Sequence, residues 1–197
     1  PGLSGLAGQF LGDADGFTLD VDPASPMRFD WPRGFGVAHT VSLTGSIGGW
    51  REGEGWRIGT PDLAVQGQGF GVRARGGMFW QGDGSRPRID IAADIDQAQV
   101  PVAKGFWIRH LMAPKVVEWL DTALVGGRLR DGHAVVSGDL DDWPFRDHNG
   151  LFEATAKLEG AVVKFQPEWP AVEGLDADVS FVADGFTVNG KGSIAGV

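Results

Sequence analysis

The groups that could do chemistry in this chain are few and scattered. Four histidines stand at positions 39, 110, 133 and 148. No two of them have the spacing that brings ligands together on a metal, so His39, His110, His133 and His148 read as turn and surface residues. The densest acidic run is Asp139, Asp141, Asp142 and Asp147 with His148. It lacks the Asp-x-Asp-x-Asp-Gly order of a calcium loop and reads as a solvated turn. Gly67-Gln68-Gly69-Phe70-Gly71 has the glycines of a nucleotide loop but sits in strand-like sequence with no helix after it. There is no Gly-x-Ser-x-Gly and no cysteine, so a disulfide, a thiolate zinc site and a Cys nucleophile are all excluded. The eight tryptophans read as rim and core packing rather than sugar platforms. No catalytic residue, metal ligand or cofactor is assigned, and the chain is read as non-enzymatic.

What the sequence does carry is alternation. Leu175, Ala177, Val179, Phe181 and Ala183 fall on one parity, with Asp176, Asp178, Ser180 and Asp184 on the other. Phe152, Ala154, Ala156 and Leu158 alternate with Glu153, Thr155 and Lys157, and Ile89, Ile91, Ala93 and Ile95 with Arg88, Asp90 and Asp94. Val41, Leu43, Gly45 and Ile47 alternate with Thr40, Ser42, Thr44 and Ser46. Such segments make antiparallel sheet with one wet and one apolar face. Strands are expected near 5–11, 16–22, 39–48, 55–59, 62–68, 69–79, 87–96, 132–140, 150–158, 160–166, 174–183 and 185–195. Turn signals such as Ala14-Asp15-Gly16, Gly53-Glu54-Gly55 and Gly82-Asp83-Gly84-Ser85 separate them at hairpin distance, which makes the whole a meander. Trp31-Pro32, Trp143-Pro144 and Trp169-Pro170 should mark strand ends, because Pro cannot donate to a ladder.

One stretch departs from period two. From about 104 to 125 the spacing becomes helical, with Pro114 suited to a first turn and Val116, Leu120 and Leu124 on one face. A helical insert is expected there, resting this apolar face on the sheet and turning Lys115 and Asp121 to water.

The 197 residues, with 32 Gly and a net charge of −9, fit an all-β chain rich in turns. That charge argues against nucleic acid as a partner. No apolar run reaches the roughly 18 residues of a membrane span. A start of Pro1-Gly2-Leu3-Ser4-Gly5 reads as an internal piece of a longer chain. The two ends also echo one another. Gly5-Leu6 and Ala14-Asp15-Gly16-Phe17-Thr18 recur 169 residues on as Gly174-Leu175 and Ala183-Asp184-Gly185-Phe186-Thr187, without a gap. A long-period repeat array would produce this.

Several motifs together resemble a known family. They are Trp119-Leu120-Asp121-x-Ala123-Leu124 after Pro114, then Gly138-Asp139-Leu140-Asp141-Asp142-Trp143-Pro144-Phe145, Gly150-x-Phe152, Trp169-Pro170 and Gly174-Leu175-x-Ala177-x-Val179-x-Phe181. The pattern is similar to the YhdP branch of the AsmA-like proteins and spans nearly the whole chain. The resemblance implies an inner-membrane anchor outside this chain and a periplasmic repeating β-groove, a U-shaped trough with an apolar lining. It implies passage of phospholipid between inner and outer membranes of Gram-negative bacteria, with membrane proteins as partners.

The expectation is therefore an all-β antiparallel meander curled into a U-shaped groove, one segment over 1–197, with the helical insert near 104–125. Its lining should include Leu43, Ile47, Ile58, Leu63, Val65, Val72, Ile89, Ile91, Val136, Phe152, Val163, Phe165, Val179, Phe181, Phe186 and Val188. Small residues on the apolar parity, among them Gly45, Ala74, Ala93 and Ala154, leave room for phospholipid acyl chains. A β-sandwich binding module with a closed core is the alternative. Open sheet edges also predict end-to-end self-association.

Overall fold

A computed structural model describes residues 2–107, 109–166, 168–183 and 185–194. Asp184 and the last residue of the strand expected over 185–195 lie outside the described residues. Its twelve strands form one antiparallel sheet. They are β1 (Gly2–Ser4), β2 (Gly8–Gly12), β3 (Gly16–Val21), β4 (Met27–Asp30), β5 (Ala38–Glu52), β6 (Gly55–Gly67), β7 (Phe70–Trp80), β8 (Arg88–Gln99), β9 (Leu124–Asp139), β10 (Gly150–Val163), β11 (Val172–Val182) and β12 (Gly185–Ile194). From β5 to β12 each strand pairs with the next in sequence, as a meander must. At the start, β5 pairs with β4 through Ala38–Val41 and with β3 through Gly45–Trp50. β3 and β4 are thus two halves of one interrupted strand, split by the Asp22–Pro26 loop. β1 and β2 are split in the same way. Twelve strands consequently stand only ten abreast, roughly 43 Å at about 4.8 Å per strand spacing.

Bulges bend the long strands. An extra residue enters β6 between Thr60 and Leu63, β8 at Asp96, β9 at Asp131 and β10 between Leu158 and Ala161. Each bulge bends its strand and increases the local twist, so a set of them across successive strands curls the sheet. This explains two departures from the expected strands. The segments 55–59 and 62–68 are one strand kinked at Pro61, and 150–158 and 160–166 are one strand kinked at Gly160, whose φ is 56°.

The helical insert differs in extent from the expected 104–125. It runs as a 3-10 helix over Val100–Phe106, a 3-10 turn over Arg109–Leu111 and α1 over Pro114–Ala123. Leu124, Gly126 and Gly127 belong to β9. The buried face of α1 also differs: Val117 and Ala123 are buried, whereas Val116 is 46% exposed. Asp121 does not turn freely to water, because Arg109 holds it at 3.1 Å.

The sequence echo has a structural counterpart. In the β2–β3 hairpin, Gly8 faces Val21, Phe10 faces Leu19 and Gly12 faces Phe17. In β11–β12, 169 residues on, Ala177 faces Gly190, Val179 faces Val188 and Phe181 faces Phe186. The register is the same pair for pair. Gly5 and Gly174, also equivalent, are both left-handed, with φ of 79° and 58°.

Candidate functional site: an apolar sheet face

Residues directly opposite one another in an antiparallel pair project to the same face. The register therefore sorts every strand residue to one side. One row runs Leu43, Val65, Val72, Ile95. A second runs Gly45, Leu63, Ala74, Ala93, Ala134, Ala154, Phe181, Phe186. A third holds Ile91, Val136 and Phe152, and a fourth Phe17, Gly49, Ile58, Met78 and Ile89. Ile47 opposes Leu19, and Val179 opposes Val188. Val163 packs with Leu158 and Leu175 on this same face. The structure thus brings fifteen of the sixteen expected lining residues onto one face. Phe165 stands apart, in the loop after β10, where it packs against Trp119. The second row has four alanines side by side, a floor with little side-chain height.

The reverse face is charged. Its central row reads Arg73, Asp94, His133, Thr155, Ser180, Thr187. Asp94 receives His133 Nδ1 at 2.7 Å and Arg75 at 2.8 Å. The hydrogen bond from His133, followed by that from Arg75, holds the Asp94 carboxyl below its ordinary value. Glu52 is lowered likewise by its two-pronged bond with Arg57, at 2.6 and 2.9 Å. Arg73 pairs with Asp62, Arg130 with Glu159 and Lys157 with Asp131. Exposed pairs of this kind contribute little individually, but they fix which face is wet.

Two segments fold back over the apolar face, one at each rim. On the side where β4 meets β5 and β6 turns into β7, an unbroken chain of ring contacts joins Phe29, Trp31, Phe35, His39, Phe106, Phe70 and His110. Phe106 comes from the insert and stacks on His39 at 4.4 Å. Polar ties hold this wall: His39 Nε2 to Gly105 O at 2.7 Å, His110 Nδ1 to Arg33 O at 3.0 Å, and Arg109 Nε donating to Phe35 O at 3.2 Å. His39 and His110, which read as ordinary turn residues in the sequence, are fasteners of the insert. No spacing signal could show this, since their partners are backbone carbonyls 66 and 77 residues away.

On the other rim the loop between β9 and β10 folds inward. Phe145 is 2% exposed and lies across Gly138 and Gly150, where a Cβ would meet its ring at 2.8 and 2.4 Å. Trp143 packs on Phe145 and Phe152. The acidic run serves this loop: Asp139 accepts from Asp141 N, and Asp141 pairs with Arg86. Between β5 and β8 this rim is bare, with Met78 39% and Trp80 51% exposed.

An open sheet with one apolar face is a groove-like sheet rather than a two-sheet sandwich; a sandwich needs a second sheet, and all described strands belong to one. The family model described as YhdP protein matches residues 1–196, and the chain belongs to this family. Over 122 residues, 61% of the chain, it is 31% identical to the intermembrane phospholipid transporter YhdP of Escherichia coli (strain K12). The matched part is 10% of that relative's length. No solved structure matches. No helix among the described residues is long and apolar enough to cross a membrane.

Proposed function

We propose that this chain is a non-catalytic segment of a phospholipid conduit: acyl chains lie on the apolar sheet face while headgroups stay in water. What carries the reading is the register, which places Leu43, Leu63, Ile58, Ile91, Val136, Phe152 and their neighbours on one face of an open sheet over a floor of alanines. Each CH₂ of a lipid exposed to water costs about 0.8 kcal/mol. Burying a charged headgroup costs several kcal/mol more. An open groove takes the chains and spares the headgroup. Transfer from a bilayer is then apolar to apolar and nearly level in free energy, so lipid can slide along the rows.

Family membership and the phospholipid-transport role of the Escherichia coli relative support this reading. They also support a place in the periplasmic region of an inner-membrane-anchored protein, as one groove segment of a longer array. The fifteen same-face residues are then lining, and inner- and outer-membrane proteins the partners at the array's ends. The reading is tested by mass spectrometry of an organic extract of the purified chain. Phospholipid in near-stoichiometric amount is expected; an extract free of phospholipid, from folded protein, would turn the reading aside.

A further inference from the structure

The rims of the apolar face are not equivalent, and the difference bears on where a headgroup would leave the groove. The aromatic wall seals the insert side along β4 to β7, and the Trp143–Phe145 loop covers the other side at β9 and β10. The bare stretch lies between, at the β5–β6 and β7–β8 hairpins. There Arg51 stands opposite Trp56 and Trp56 opposite Trp80, one row across three strands on the same face as Ile58 and Met78. They end the apolar rows at the water's edge. Arg57, Arg73, Arg75 and Arg130 each meet a carboxylate. The Arg51 guanidinium has no partner among the described residues. A free cation in one row with two indole rings at an apolar–aqueous boundary suits a phosphodiester whose chains lie inward, because Trp favours such boundaries and guanidinium binds phosphate in a planar fork.

We propose that Arg51, Trp56 and Trp80 form a phosphate-headgroup subsite at this open rim. The inference rests on the groove reading and deepens it. Calorimetry on the full chain would use three probes: dioctanoyl phosphatidylglycerol, dioctanoylglycerol, which lacks the phosphate, and inorganic phosphate. Arg51→Gln should weaken phosphatidylglycerol about tenfold, the loss expected for one charge-assisted hydrogen bond. It should leave dioctanoylglycerol unchanged, and Arg51→Lys, which keeps the charge but loses the planar fork, should restore only part of the affinity. Arg128→Gln changes an arginine on the charged face, opposite Gln99 and Glu159, and should change neither. Equal loss for both lipids, or no loss for either, overturns the subsite while the groove stands. Inorganic phosphate binding as tightly as the lipid would make it a free-anion site and also overturn it. If the unaltered chain binds neither lipid, the groove reading fails and the subsite with it.

Discussion

Val135 and Val136 are chemically identical neighbours with opposite surroundings. Val136 lies between Ile91 and Phe152 on the apolar face, and Val135 between Ala92 and Glu153 on the charged one. An aspartate at 136 puts an unpaired charge among apolar groups; one at 135 stays in water, although Glu153 stands opposite. Val136→Asp should abolish co-purifying lipid and lower stability by about 1–3 kcal/mol. Val135→Asp should keep the lipid and cost under about 1 kcal/mol, read as extracted phospholipid and denaturant midpoint. Equal effects would contradict the face assignment. Acid should act from the reverse face. Asp94 is held below its ordinary value of 3.8 by His133 and then Arg75. A depressed carboxyl adds stability above the unfolded-state value and loses it as pH falls through the folded one. Thermal stability should therefore drop as pH goes below about 4, and Asp94→Asn should flatten that part of the profile. An unchanged acid limb in Asp94→Asn would remove Asp94 from the account.

The elements divide by how local their causes are. Period-two alternation depends only on each strand's own residues, and it is enough to mark the long strands and their apolar parity from the sequence alone. Two features escape it. Bulges at Pro61 and Gly160 read as strand breaks, because the extra residue flips the parity and only a paired neighbour shows that the ladder goes on. β1 and β4 are short strands of three and four residues, held by each other and by β5 rather than by their own pattern. The insert is visible as a change of period, but its buried face is one residue away from the expected one, at Val117 rather than Val116. The sequence shows which residues of α1 are apolar, but not the long-range ties that accompany its rotation, Arg109 to Asp121 and Trp119 Nε1 donating to Phe165 O. The inward loop of Trp143 and Phe145 makes a prediction of its own. Gly150→Val would place a Cβ 2.4 Å from the Phe145 ring. It should expel the ring at a cost of about 1–3 kcal/mol while leaving strand content by circular dichroism unchanged. Full stability in that variant would mean that Phe145 does not depend on the glycine gap.

At the scale of the whole molecule, the first and last hairpins share one register, but their exposure differs. Phe17 packs against Trp56 and lies over Gly49 on β5, whereas its equivalent Phe186 is 67% exposed, on a strand that among the described residues pairs only with β11. The echo is legible in the sequence as matching letters; the shared pairing that makes it structural is not, because pairing is a long-range property. Open edges at β2 and β12, with Phe10 and Phe186 bare beside them, should make the chain associate with increasing concentration, measurable by sedimentation. A strict monomer at high concentration would count against this. On the groove reading, lipid lies on one face of this sheet and not on the other. Ala92 and Ala93 are adjacent, both half-buried, and opposite in face: Ala93 stands between Ala74 and Ala134, and Ala92 between Arg75 and Val135. A photoreactive residue placed at each site in the full chain, irradiated and analysed for covalently attached phospholipid, tests the claim most directly. Attachment at 93 with none at 92 is the predicted result; attachment at both positions equally, or at 92 alone, would contradict the account.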